Sequence, residues 1–200
     1  MISLDIFDYL HECQLSERTA DKKSVTVAGN LKREKCEYIY KLCENDQVDF
    51  TLHLYGPDFK PVKVPESVIY HGSFPPDKLP EKLEGSFGLV WDGTETDRCG
   101  GNPGEYIRYN NPHKCSLFLA CNMPVIIWKE AALADFVIKN NVGITVNSLQ
   151  EISSVLEELS DDEYKIMVKN ASAIGAKMRS GEYFKTALNK AVELISKEGE

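Results

Sequence analysis

Short apolar runs alternate along this chain with longer stretches whose apolar residues recur at helical spacing. Ser24–Ala28 reads as a buried strand stopped by Gly29-Asn30, and residues 49–55 as a second, ended by Gly56-Pro57. Val68–Tyr70 is a third, closed by His71-Gly72, and residues 86–91 a fourth, closed by Asp92-Gly93. Residues 124–128 and 142–146 complete six strands. Between them residues 31–43 predict a helix, with Leu31, Tyr38, Ile39 and Leu42 on one face. Residues 76–83 are helix-permissive despite Pro80. Pro112 opens a helix that runs through Ala120 and can end at Asn122. Further helices are expected to begin within 129–135, at Ser148 and at Asp161, and 182–197 is an amphipathic one. Leu4, Phe7 and Leu10 predict a helix ahead of the first strand, joined to it by a charged linker. Residues 94–110 are the longest stretch with no regular pattern.

Strands alternating with helices, without tight hairpin turns, give an α/β fold: a doubly wound parallel sheet of about six strands with helices on both faces. Ligands of such sheets sit beyond the carboxyl ends of the strands. The chemistry is therefore expected at 29–33, 55–59, 71–75, 92–114 and 128–135, which share one rim.

A net charge of −8 argues against nucleic-acid binding, which needs a basic face, but leaves a locally held phosphate open. No apolar run reaches the ~20 residues of a transmembrane helix, and no signal pattern opens the chain. Six cysteines form neither a CxxC pair nor a Cys/His zinc spacing, and are expected as reduced thiols of a cytoplasmic protein. Cys36 and Cys43, seven apart, fit core packing. Asp92, Glu95 and Asp97 lack the order of a calcium loop, so no metal is expected.

The strongest local signal is Asn110-Asn111-Pro112-His113-Lys114. Asn111, Lys114 and the amides of a helix start can converge on one anion; a capped helix with a solvated lysine is the plainer reading. Gly29-Asn30-Leu31-Lys32-Arg33 lets backbone approach a ligand, with Lys32 or Arg33 near a phosphate, or is an ordinary turn. Tyr55-Gly56 and Tyr70-His71-Gly72 suit a planar base, or place core aromatics before turns. Ala132 and Asp135 lie where a sugar could rest on backbone. No P-loop occurs, and the first turn lacks the GxGxxG fingerprint of an NAD enzyme.

These stretches resemble a family. AGNLKR, LYG, YHG, GLVWDG, YNNPHK, PVIIW and AALADFV are similar, from about Ser24 onward, to the carboxyl-terminal half of bacterial GT-B glycosyltransferases. The glucosyltransferases that extend glycans on serine-rich adhesins are the nearest in pattern, with the β-1,6-galactofuranosyltransferases of cell-surface polysaccharide as relatives. The resemblance implies a Rossmann-like domain that binds a UDP-sugar and transfers a hexose, glucose or galactofuranose, without a metal or other cofactor. It implies a glycan or glycoprotein acceptor. Lys32 or Arg33 would then meet the diphosphate. Asn30, Tyr55, His71 and Gly72 would lie at the nucleotide, Asn111, His113 and Lys114 at ribose and phosphate, and Ala132 and Asp135 at the sugar. Residues 1–21 would be an interdomain remnant, 22–180 the donor domain, and 181–200 a helix that packs on an N-terminal domain absent from this chain. The catalytic base is not assigned. A non-catalytic nucleotide-binding or self-associating homo-oligomeric module is the alternative.

Overall fold

The computed structural model describes residues 2, 4–12, 15, 22–45 and 48–198. Six strands form one sheet: β1 (Ser24–Ala28), β2 (Thr51–Tyr55), β3 (Val68–Tyr70), β4 (Phe87–Val90), β5 (Val125–Trp128) and β6 (Gly143–Val146). Their order is β3-β2-β1-β4-β5-β6 and every pairing is parallel. β1, β4 and β5 are buried at every position, which requires cover on both faces and explains their largely apolar character, with Ser24 and Thr26 of β1 the buried polar exceptions. At the β3 edge, Ile69 and Tyr70 are exposed.

The helices are α1 (Arg33–Glu44), α2 (Leu79–Lys82), α3 (Gly101–Tyr106), α4 (His113–Ala120), α5 (Ala134–Lys139), α6 (Ile152–Glu158), α7 (Asp161–Ser180) and α8 (Glu182–Glu198). Helix α4 is the central one. Residues Cys115 to Ala120 are all buried, because α4 lies between the sheet and α7. Gly88 makes this approach possible. A Cβ built there would meet three carbons of the Phe118 ring at 2.6 Å or less. On the other side, a Cβ at Gly175 of α7 would strike Leu119 O. Helix α7 starts with a Ser160–Glu163 capping box and ends on Gly181 at φ 73°, so both its ends have backbone partners.

Four expectations are corrected. Residues 4–12 are not helical. Tertiary contacts override a short helical pattern that is marginal alone: Ile6 is fully buried, Ser116 Oγ donates to Phe7 O at 2.8 Å, and Asp8 accepts from the Tyr183 and Phe184 amides that open α8. Most of the expected linker, residues 16–21, lies outside the described residues. Within 94–110 there is a helix, α3, which two glycines and a proline disguise in the sequence GNPGEY. Gly104 is required there, since a Cβ would collide with the Cys99 backbone. Residues 129–133 form turns, and α5 starts only at Ala134. Ser148 does cap a helix start, but of a 3-10 turn (Leu149–Glu151) leading into α6.

Candidate functional site

The strand order reverses direction of travel between β1 and β4, so a crevice opens beyond their carboxyl ends. Three segments meet there: the 29–32 turn after β1 with the start of α1, the loop after β4, and the start of α4. The Gly93 amide donates to Lys35 O at 3.3 Å, and Tyr38 Oη to Trp91 O at 3.4 Å, which ties the first two together.

Lys114 stands at the centre. Its Nζ donates to Asp92 Oδ1 at 2.6 Å and to Trp91 O at 3.0 Å, with the side chain 19% exposed. An ammonium has three donors, and the third has no acceptor among the described residues. Asn111 precedes α4 and carries a buried Oδ1 without a hydrogen-bond partner. A buried carbonyl oxygen left this way costs stability unless a donor reaches it, so the position suits a ligand hydroxyl. The free amides of the first turn of α4 add positive potential.

The other expected residues divide into two groups. Asn30 and Lys32 remain at the rim. Asn30 Oδ1 accepts from the Lys32 amide at 2.9 Å, and Lys32 lines an open groove with Arg33, Asp58 and Lys60. Arg33 is committed elsewhere: its guanidinium makes a two-pronged pair with Glu44 at 2.8 and 2.9 Å and lies over the Tyr40 ring. Of the two basic residues, Lys32 is the one with no carboxylate clamp among the described residues.

Tyr55 is not an exposed platform for a base. It is 1% exposed, donates to Lys82 O at 2.8 Å, and is covered on one face by the His71 ring, stacked at 4.4 Å. His71 is half-buried and Gly72 (φ 81°) has open space at its Cβ position, so the turn itself is the accessible part. His113 is exposed and stacks on Phe7 at 5.0 Å. Ala132 and Asp135 are exposed at the entry to α5, where the Ala132 amide donates to Ile107 O.

Two participants were not singled out from the sequence as donor-site residues. Asp92, weighed only as a metal ligand, is the carboxylate that positions Lys114. Arg108 lies over the Trp128 ring at 4.4 Å and pairs with Glu105 and Glu130, beside the residues expected at the sugar. The sequence cue was weak: both are charges within an irregular loop. Burial pushes the thiols of Cys36, Cys99 and Cys115 up to about 12, which disfavours the reactive thiolate at all three.

This sheet order with its β1/β4 crevice is the Rossmann-like α/β arrangement found as one half of a GT-B glycosyltransferase. Sucrose-phosphate synthase from Thermosynechococcus elongatus shares the fold, with a TM-score of 0.53 and 16% identity over 90% of this chain and 46% of that one. Residues 25–191 match the family described as Glucosyltransferase 3-like, C-terminal domain, and the chain belongs to that family. It is similar to Beta-1,6-galactofuranosyltransferase WbbI of Escherichia coli (strain K12), 37% identical over 195 residues, which are 95% of this chain and 56% of that protein. It is also similar to Glucosyltransferase 3 of Streptococcus gordonii, 34% identical over 122 residues, 60% of this chain and 36% of that protein. The chain therefore spans about half, or less, of the length of these relatives.

Proposed function

We propose that this chain is the donor-binding half of a hexosyltransferase that takes a UDP-sugar and delivers its glucosyl or galactofuranosyl group to a glycan or glycoprotein. The observation that carries the reading is Lys114: a part-buried ammonium fixed by Asp92 and Trp91 O at a helix start, with one donor unspent. The diphosphate would lie between that donor, the α4 amides and Lys32. Asn111 Oδ1 would accept from a ribose hydroxyl, and the His71–Gly72 turn would border the uracil. The sugar would face Ala132 and Asp135.

In the transfer, the acceptor oxygen bonds to the anomeric carbon as the bond from that carbon to the diphosphate breaks. The acceptor proton leaves to a base contributed from outside the residues named here. Charge grows on the departing phosphate, and Lys114 with the helix amides would stabilise it without a metal. Preorganised donors of this kind contribute about 2.7–4 kcal/mol each to turnover. Cys36, Cys43, Cys99 and Cys115 are buried free thiols, which fits a reducing cytoplasm.

Helix α8 supports the expected partner. Phe184, Leu188, Val192 and Ile195 form an exposed apolar stripe along it. A preceding acceptor domain, of the length by which relatives exceed this chain, would cover it; self-association through the same stripe is the second reading. A thermal-shift panel tests the donor assignment. UDP at about a hundred times its Kd should raise the melting temperature by roughly 5–11 °C, with ADP, GDP and NAD doing less. Equal shifts from all four would refute the preference, and no shift from any would remove the nucleotide reading.

A further inference from the structure

On the β2–β3 side of the rim, apart from Lys114, three potential metal ligands meet. His53 Nδ1 lies 2.9 Å from His71 Nε2, and with a Glu84 carboxylate oxygen these atoms all fall within 4.8 Å of one another. They come from three segments: the middle of β2, the residue after β3, and the loop before β4.

His71 and Glu84 each have their own support. The His71 amide donates to Leu54 O at 3.0 Å, and its ring is stacked within 2° of parallel on Tyr55. The Glu84 amide donates to Tyr55 Oη at 3.0 Å, and the Glu84 carbonyl accepts from Thr26 Oγ1. Both backbone groups of Glu84 are thus fixed beside the histidine pair. Gly85, at φ 101°, keeps the approach open, since a Cβ there would press into Thr26 Oγ1 and lie 3.4 Å from His53 Cδ2. His53 is buried, His71 half-buried and Glu84 exposed, so an ion can enter from the carboxylate side.

Two imidazole nitrogens on a tetrahedral zinc ion stand about 3.3 Å apart. The pair is already within a few tenths of an ångström of that spacing, with a carboxylate on the same side. We infer that His53, His71 and Glu84 form a binding site for a divalent ion of the zinc class. Two nitrogens and one oxygen suit zinc better than the all-oxygen preference of magnesium or calcium. The ion takes the place of the hydrogen bond between the two rings, each neutral imidazole binding through one nitrogen and keeping its single N–H on the other. Its effect is structural: it ties β2, the β3 turn carrying Gly72 and the β4 approach into one unit. The site is the same whichever nucleotide the crevice holds.

The test is a zinc titration of the whole chain, stripped by chelator, against a competing chromophoric indicator, with cobalt(II) as a spectroscopic substitute. One zinc per chain is expected, with a tetrahedral cobalt band. Both His71→Ala and Glu84→Gln should weaken zinc at least about tenfold, on the scale seen for disturbed metal shells. Thermal unfolding of each variant checks that it folds; Glu84, being exposed, gives the variant least prone to misfold. A folded chain that binds no zinc, or variants that bind it as tightly with the same cobalt spectrum, would overturn the inference.

Discussion

Gly88→Ala is the substitution that most directly links packing to the site. The added methyl would lie 2.6 Å or less from three carbons of Phe118, where 3.5–4.0 Å is the comfortable separation. Phe118 is fully buried, and α4 cannot retreat freely because Leu119 O already faces Gly175 of α7. Either the ring leaves its rotamer or α4 shifts by about an ångström, and overpacking of this kind costs about 1–3 kcal/mol. For a chain of this length that lowers the melting temperature by roughly 2–12 °C. Because Lys114 sits one turn before Phe118, any shift of α4 also moves its ammonium away from Asp92, so nucleotide affinity should fall along with stability. Differential scanning calorimetry of Gly88→Ala, Phe118→Leu and the double variant measures this. The alanine should cost less in the Phe118→Leu background than beside the native ring, giving a coupling energy above the ~0.5 kcal/mol expected of independent sites. A Gly88→Ala protein that melts with the parent, or strictly additive effects, would refute the packing argument.

Ser160→Ala removes the side chain that accepts from the Glu163 amide and half of the capping box, and should cost about 1 kcal/mol, or roughly 2–4 °C in calorimetric melting. The buried thiols predict an alkaline limit. Cys36, Cys99 and Cys115 are pushed up to about 12 and Cys43 to about 11, from a usual value of 9.0, chiefly by burial. Raised folded values keep protons on the native state, so this stability is intact below about pH 9 and is lost as pH rises towards 12. Denaturant midpoints across pH 8–11 should decline, and iodoacetamide should label these four only as the chain unfolds; rapid labelling of the native protein at pH 8 would contradict their burial.

The first four strands were legible because each is a short, largely apolar run closed within three residues by glycine, as at Ala28-Gly29, Tyr55-Gly56 and His71-Gly72 on the rim. The YNNPHK start of α4 was legible for the same kind of reason, a proline and polar residues ahead of an apolar helix. What could not be read were pairings between distant residues. Nothing local marks Lys114 as the partner of Asp92, twenty-two positions earlier, or Arg33 as the partner of Glu44. Tyr55 looked like a ligand platform because its strand position was visible and the covering His71 was not. Residues 4–12 carry helical spacing, yet they are held by single contacts to α4 and α8: Phe7 O accepts from Ser116, the Phe7 ring stacks on His113, and Asp8 accepts from the Phe184 amide. Helix α3 hides behind glycines that its close contact with Cys99 demands.

The central claim is that Lys114 at the start of α4 receives a nucleotide diphosphate, and isothermal titration of this chain with UDP, beside Lys114→Ala, tests it most directly. Saturable binding is predicted for the parent, weakened about 10- to 100-fold in the variant, the cost of one charge-assisted hydrogen bond. A folded parent that binds no UDP, or a variant that binds it equally well, would contradict the account.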